Sequence, residues 1–341
     1  MQKLKDLLFR LCAAPGVSGA EHSAAELAAA ELAPFGQVKI DSLGNVTACF
    51  GPEDAEEHVL LDAHLDQIGL TVSSIDENGF LSVKNCGGVD ARILPGAPVV
   101  VCGKEKIPGS LTYAPQHLAE EAGKKAQKLE DLRVDPGLDG ETVRSLVAPG
   151  DRVLLWSRPV SLLGNRLSCA ALDDRCGAAA LIRCAELLHG EPLACRVTIL
   201  LSTMEEIDGQ GARVGAYAAR ATQAIAVDVS FASQLGVPEE NCGTLGGGPM
   251  IGLAPILNHA MSRRLLSLTE ELGLPHTTEV MGGRTSTDSD EIAIARGGVR
   301  TALVSIPLRY MHTAVETIDA ADVEHTAQLL AAYVKEVGVH D

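Results

Sequence analysis

The chain has 341 residues, of which 46% are hydrophobic and 21% charged, so a sizeable core is expected and disorder is not. The formal net charge of -17 excludes nucleic acid as an expected partner, because phosphate binding requires clustered Lys and Arg side chains. The nine cysteines are odd in number and form no C-x-x-C pair, which favours free thiols in a reducing cytoplasm.

The N-terminal segment predicts two helices. In "MQKLKDLLFRLCAAPG" the leucines fall on one side of an amphipathic helix, and the charges between them exclude a signal peptide or a membrane span. A second helix is predicted after "GVSGAE", where Ser18 and Glu21 have the spacing of a capping box.

The middle of the chain predicts a small β-rich module. Between Ile68 and Arg166, strand-like runs such as "FLSVKN", "APVVVCG" and "RVLLW" alternate with Gly and Pro turns. The charged stretch "HLAEEAGKKAQKLEDL", residues 117–132, is expected to be a solvated helix or loop.

After Asp173 strands and helices alternate, and the last helix is expected to be capped by Asp319. This alternation predicts a largely parallel sheet that is covered on both faces. We therefore expect residues 1–67 and 167–341 to form an α/β domain that carries the site, and residues 68–166 to be inserted into it.

Side chains of the types that bind metals follow several of the predicted strands. Functional groups in open α/β sheets gather at the carboxyl ends of the strands. The candidates are His64 and Asp66 in "HVLLDAHLD", Glu205 and Glu206 in "RVTILLSTMEE", Asp228 in "AIAVDVS", His312 in "TALVSIPLRYMH", and Asp173 and Asp174 in "LDDR". Each is weak evidence alone, but imidazole and carboxylate together form the ligand set of zinc, cobalt or manganese.

The number of candidates exceeds what one catalytic zinc requires, and two ions sharing a carboxylate would use them. Asp66 could hold the second ring nitrogen of His64 and fix its tautomer. Of the neighbouring Glu205 and Glu206, one could bind metal and the other could act as general base. The residues alone leave open which glutamate does which.

These motifs resemble the family of tetrahedral, dodecameric di-metal aminopeptidases. The family includes glutamyl, leucyl, lysyl and deblocking aminopeptidases and members once mislabelled as endoglucanases. The resemblance covers essentially the whole chain and rests on "DAHLDQIG", "ALDDR", "MEEIDGQGA", "VDV", "SIPLRYMHTAVE" and, in the inserted module, "IPGSLTYAPQHL". It implies a zinc-peptidase-like three-layer α/β sandwich with a mostly parallel central sheet and an inserted small β-barrel used for oligomerisation.

The resemblance also implies roles for individual residues. One ion would be bound by His64, Asp173 and Asp228, and the second by Asp173, Glu206 and His312, with Asp173 bridging the two. Glu205 would be the general base that activates a metal-bridging water and so releases the N-terminal residue of a peptide. Asp66 would belong to the catalytic group, and Asp174 would support the ligands after a cis Asp173–Asp174 bond. The substrate pocket is not assigned.

Two positions depart from the family pattern. Gln67 stands where the family has glutamate, and Asp208 stands where it has glycine. The segment "RTSTDSDE" around Asp288 also differs from the family's GTDA. Arg263, Arg284 and Arg309 could favour acidic substrates, although each is better explained as a surface or structural arginine.

The function that follows is a cytoplasmic, homo-oligomeric metalloaminopeptidase acting on short peptides, with no nucleic acid or membrane partner. One alternative is a deacylase or carboxypeptidase of the related di-zinc hydrolases, and another is a catalytically weak assembly protein of the same fold. A glycoside hydrolase is disfavoured, because that chemistry needs two carboxylates rather than histidines.

Overall fold

The computed structural model describes residues 1–113 and 128–339. The prediction of a solvated stretch therefore lies largely outside the described residues, as does the end of "IPGSLTYAPQHL". The strands are β1 Gln37–Ile40, β2 Val46–Phe50, β3 His58–His64, β4 Gly69–Ile75, β5 Leu81–Cys86, β6 Pro98–Cys102, β7 Lys106–Thr112, β8 Arg133–Asp135, β9 Arg152–Leu155, β10 Val160–Ser161, β11 Arg166–Cys169, β12 Arg196–Ser202, β13 Gln223–Phe231, β14 Met250–Leu253, β15 Thr277–Val280, β16 Arg300–Leu308 and β17 Glu316–Asp319.

The described helices lie mainly before residue 68 and after residue 166. They are α1 Gln2–Ala13, α2 His22–Leu32, α3 Gly140–Leu146, α4 Leu172–Leu188, α5 Gln210–Ala219, α6 His259–Glu271, α7 Asp288–Ala293 and α8 Ala320–Glu336. Within residues 1–113 and 128–339, none of the helices has both the length and the apolar character needed to cross a bilayer.

The central sheet has eight strands in the order β1-β2-β12-β3-β13-β16-β14-β15. The strands β12, β3, β13 and β16 in its middle run parallel, and antiparallel pairs join β1, β2 and β14 to them. The middle strands β3 and β12 are buried along almost their whole length, as is typical of parallel strands covered on both faces.

Two apolar cores cover the two faces of the sheet. Alternate residues of β3, such as Leu61, pack with α1, α2, α4, α6 and α8. The opposite face, which includes Leu60, Ala226 and Leu303, packs with α5 and α7 in a smaller core. Because side chains alternate along a strand, the smaller face also carries His64, Asp228 and Ser305 further along the same strands.

The strands β4 to β9 close a separate barrel in the order β4-β5-β8-β7-β6-β9, and β10, β11 and β17 form a third, three-stranded sheet. The three-layer α/β fold with an inserted barrel is thereby confirmed. The division at residues 67/68 and 166/167 stays a prediction, since the barrel strands themselves lie between Gly69 and Leu155.

The first and last helices agree with the sequence prediction, whereas the predicted cap of α2 does not. The leucines of α1 are buried on one side as predicted, and Asp319 caps α8 through the Ala321 N–H at 3.0 Å. The predicted capping box at Ser18 and Glu21 is wrong, because neither side chain caps α2. The Ser18 hydroxyl instead donates a hydrogen bond to Asp66 Oδ2 at 2.6 Å, which a fully buried carboxylate requires.

Candidate metal centre

One group of three candidate ligands lies where the carboxyl ends of β3 and β13 meet the start of α4. His64 is the last residue of β3, and its Nε2 atom lies 3.1 Å from Asp173 Oδ1. Ligand atoms of His64, Asp173 and Asp228 all lie within 4.8 Å of one another. The expectation that Asp228 ends its strand is wrong, because β13 continues to Phe231 and Asp228 reaches the cluster from inside the strand.

A second group of three shares Asp173. His312 Nε2 lies 3.3 Å from Asp173 Oδ2 and 3.3 Å from Glu206 Oε2. Ligand atoms of Asp173, Glu206 and His312 also lie within 4.8 Å of one another. Asp173 therefore directs one oxygen to each group, and the Asp173–Asp174 peptide bond is cis, as the resemblance implies.

Asp66 contacts the His64 ring of the first group and the main chain of Glu206 in the second group. Its carboxylate and carbonyl oxygens lie 3.4 Å and 3.2 Å from His64 Nδ1, so the other ring nitrogen faces Asp173. The same carboxylate accepts the backbone N–H groups of Glu205 and Glu206 at 2.9 Å and 3.2 Å. Burial opposes the charge of Asp66, but these bonds, that of Ser18 and the His64 ring lower its pKa overall.

The two glutamates occupy one short turn after β12 but face different neighbours. Glu206 Oε2 faces His312, whereas Glu205 Oε2 lies 3.9 Å from His64 Nε2 on the side of the first group. Burial and the nearby Asp228 carboxylate raise the pKa of Glu205 to about 10, against the lowering effect of His64. The two glutamate carboxylates therefore face different groups, a distinction that the residue types alone left open.

The charges of this cluster fit divalent cations. Burial is the main cause that raises the pKa of Asp228 and of Glu206, and neighbouring Asp173 raises both further. The cluster thus gathers more buried carboxylates than His64 and His312 can balance, which is costly unless cations are bound. Mixed imidazole and carboxylate donors suit zinc, cobalt and manganese.

Glu316 is a buried neighbour of both groups that the sequence did not indicate as a candidate. Its two carboxylate oxygens accept the backbone N–H groups of Asp173 at 3.2 Å and His312 at 2.9 Å. Asp174 accepts the Gly177 N–H at 3.2 Å through Oδ1, and its Oδ2 has no partner among the described residues. The only sequence clue was that Glu316 follows His312 by four residues in "MHTAVE".

The two departures from the family pattern lie close to the cluster. Gln67 is buried, and its backbone N–H donates to the Gly16 carbonyl at 2.9 Å, so its place is fixed by the main chain. Asp208 has φ 122°, a conformation that favours glycine. The backbone conformation thus explains why the family has glycine at this position, and Asp208 adopts that conformation under strain.

A three-layer α/β sandwich with an inserted barrel and a buried acid–histidine cluster is the arrangement of a metal-dependent hydrolase. The profile of the M42 glutamyl aminopeptidase family matches residues 44–329. The chain belongs to this family and is a metal-dependent aminopeptidase.

Similar proteins cover nearly the whole chain. The lysyl aminopeptidase of Pyrococcus furiosus is 33% identical over 97% of this chain and 97% of its own. An aminopeptidase structure from the archaeon Desulfurococcus kamchatkensis is 29% identical with a TM-score of 0.92, covering 98% of this chain and 95% of that one. The TET1 peptidase of Pyrococcus horikoshii, described as assembling into a tetrahedron or a large octahedral shell, is 30% identical with a TM-score of 0.88, covering 98% and 100%.

Proposed function

We propose that the chain binds two divalent ions, Zn²⁺ or Co²⁺ with Mn²⁺ as a further candidate, and removes the N-terminal residue of short peptides. The observation that carries this proposal is the sharing of Asp173 between two groups of ligand atoms, each within 4.8 Å. His64 and Asp228 would complete one site, and Glu206 and His312 the other.

Bound there, the ions would polarise the scissile carbonyl and make water more acidic. Glu205 is the base in this proposal, since its Oε2 atom adjoins His64 while Glu206 is turned toward His312. Glu205 takes a proton from the attacking water as the water oxygen bonds to the carbonyl carbon. It then gives that proton to the amine nitrogen as the C–N bond breaks.

Three acids would keep these groups in place. Asp66 orients His64 and fixes the main chain of both glutamates through its hydrogen bonds. Glu316 anchors the backbone of Asp173 and His312, and Asp174 supports the turn that presents Asp173. Such partners of ligands contribute about 10- to 100-fold to metal affinity or activity.

The substrate class is tested with matched free and blocked substrates. The purified protein, loaded with Zn²⁺, Co²⁺ or Mn²⁺, should cleave aminoacyl-p-nitroanilides but not N-acetylated peptides. Cleavage of blocked but not free substrates would contradict the aminopeptidase mechanism and support the deacylase alternative. Absence of any hydrolysis in a protein with both ions bound would support the catalytically weak assembly protein.

The role of Glu205 is tested by Glu205→Gln, which keeps the shape and removes the base. We expect kcat to fall by about 10²- to 10⁴-fold, because general bases contribute that much, while two ions per chain remain bound. Steady-state kinetics and elemental analysis measure the two quantities. Exposed Glu240 provides the control Glu240→Gln; loss of metal in Glu205→Gln alone would show that Glu205 is a ligand.

We further propose that the protein is cytoplasmic and that dimers assemble into a dodecamer through the inserted segment, residues 68–166. All nine cysteines are free thiols, as a reducing compartment favours. Beside the barrel, Trp156 is 50% and Leu163 96% exposed, a place where apolar contact with another chain would bury surface. Light scattering should give about twelve times 35.7 kDa; a monomer at assay concentration would contradict this assembly.

A further inference from the structure

A cavity of about 490 Å³ opens directly beside the two groups of ligands. Asp173, Glu206, Asp228 and His312 line one side of it, together with Glu205. Its volume is in the range of small-ligand sites. Because the first residue of a substrate must lie against these groups, its side chain has to enter this cavity.

The far side of the cavity holds an acid that neither the ligand groups nor the general base uses. Glu279 lies on the edge strand β15, and its carboxylate accepts hydrogen bonds from the hydroxyls of Ser230 on β13 and of Ser305 on β16, the latter at 2.8 Å. Its register partner on β14 is Gly252, which carries no side chain. The carboxylate is thereby held in the cavity on the face of the sheet that carries Asp228.

Ser230 and Ser305 fix the distance between this acid and the ligands. Ser230 follows Asp228 by two residues on the same strand, and Ser305 is the register partner of Asp228 on the neighbouring strand. Both hydroxyls therefore point to the same face as Asp228. Glu279 is oriented by neutral donors, so its negative charge remains available to a ligand.

The charge in the cavity is not balanced by the protein. No Lys or Arg side chain within residues 1–113 and 128–339 lines the cavity. Two divalent ions would balance Asp173, Asp228, Glu205 and Glu206, which leaves Glu279 as a fixed negative charge. A cationic side chain of the substrate would supply the missing partner.

The arginines that might have favoured an acidic substrate are bound elsewhere. Arg309 Nε donates to the Ser233 carbonyl at 2.7 Å, and Arg263 Nε lies 3.2 Å from His259. Arg284 pairs with Asp290 and Glu291 at 3.2 Å each. All three lie outside the lining of the cavity.

We propose that this cavity receives the first side chain of the peptide and that Glu279 selects lysine or arginine there. Ser230 and Ser305 position the carboxylate, which binds the ammonium or guanidinium group at the end of the substrate side chain. The inference rests on the proposed aminopeptidase function and names its substrate class.

The test uses lysyl- and norleucyl-p-nitroanilide, two substrates that differ only in the terminal ammonium group. For the metal-loaded protein we expect kcat/KM to be about 10- to 100-fold higher for lysine, the factor expected when a close charge pair forms. Glu279→Gln, which keeps the shape and loses the charge, should remove this preference and leave norleucine within about threefold. Competitive inhibition by free lysine should weaken by a similar factor.

Two further variants keep the test decisive. Ser305→Ala removes one anchor and should lower the lysine preference by less than Glu279→Gln does. Glu270→Gln on the exposed side of α6 is the matched control and should change neither substrate. If Glu279→Gln is unstable, the ratio of kcat/KM for the two substrates, compared between Ser305→Ala and the unaltered protein, still tests the role of Glu279.

The failures of the two proposals are distinguishable. Equal cleavage of lysyl and norleucyl substrates by the unaltered protein, or an equal loss for both in Glu279→Gln, would overturn the role of Glu279 and leave the aminopeptidase intact. Failure to cleave any free aminoacyl substrate would overturn the proposed function itself.

Discussion

The barrel and the carboxyl edge of the central sheet use buried volume in opposite ways. The described core of the barrel consists of Ile, Leu and Val side chains, including Leu81 and Val134. The sheet edge instead buries Asp66, Asp173 and Asp228 beside two histidines. Apolar burial stabilises a fold, whereas buried carboxylates destabilise it unless they are paired or bind cations. The core of the barrel thus stabilises the fold, whereas the sheet edge holds buried charges that are suited to binding cations.

One turn of the barrel contacts the candidate metal centre at the sheet edge. Gly87 and Gly88 follow β5, and the Gly88 carbonyl lies 3.2 Å from His312 Nδ1. A Cβ atom on Gly88 would come within 2.7 Å of that nitrogen. The inserted module therefore takes part in orienting one candidate ligand through its backbone alone.

The largest effect is expected on the free energy of unfolding, for a substitution in the core of the barrel. Leu81→Ala removes a fully buried side chain from the barrel core and should lower the free energy of unfolding by about 2–5 kcal/mol. Chemical denaturation measures this loss, and kcat/KM per folded molecule should stay within about twofold. Leu235→Ala, at a fully exposed position, is the control. A folded Leu81→Ala protein with strongly reduced kcat/KM would contradict the claim that the barrel core contributes to stability and not to activity.

A smaller effect is expected where the regions meet. Gly88→Ala should displace the His312 ring and lower kcat/KM by about 10- to 100-fold, as loss of a ligand's orienting partner does. Metal titration should show weaker binding of one ion only. Gly297→Ala, where an added Cβ meets nothing within 4 Å, is the matched control. Unchanged metal binding and rate in Gly88→Ala would show that the barrel turn does not orient His312.

The smallest effect concerns strain at the sheet edge. Asp208→Gly places glycine where φ is 122° and should raise the free energy of unfolding by about 1 kcal/mol, because relieved strain exceeds the entropy cost of glycine. Denaturation of the two proteins in the same metal-free buffer measures the difference. Destabilisation by Asp208→Gly would mean that the aspartate side chain contributes more than its backbone strain costs.

Much of the fold was predictable because local pattern and tertiary structure agree. Apolar runs such as "HVLLDAH" and "RVTILLS" became the buried parallel strands β3 and β12, and the Gly- and Pro-rich middle became a barrel. The side chains at His64 and Glu205 could be expected near one another, since parallel strands present their carboxyl ends at one edge. Their binding of ions stays a proposal.

What the sequence could not give depends on contacts between distant segments. Ser18 has a helix-capping pattern but bonds to Asp66, 48 residues away along the chain. Glu279 lies on the short edge strand β15, in which partly and fully exposed positions alternate, and this alternation does not indicate a cavity. The role of Gly88 follows from a contact 224 residues away in the chain, with His312. Residue types and their spacing along the chain do not indicate which distant segments come into contact.

The central claim is that Asp173 is shared by two ions at the sheet edge. A crystal structure of the Zn²⁺-loaded protein, with diffraction data collected on both sides of the zinc absorption edge, tests it most directly. We predict two anomalous peaks per chain roughly 3.5–4 Å apart, one beside His64 and Asp228 and one beside Glu206 and His312, with Asp173 contacting both. A single peak, or two peaks that Asp173 does not bridge, would contradict the claim.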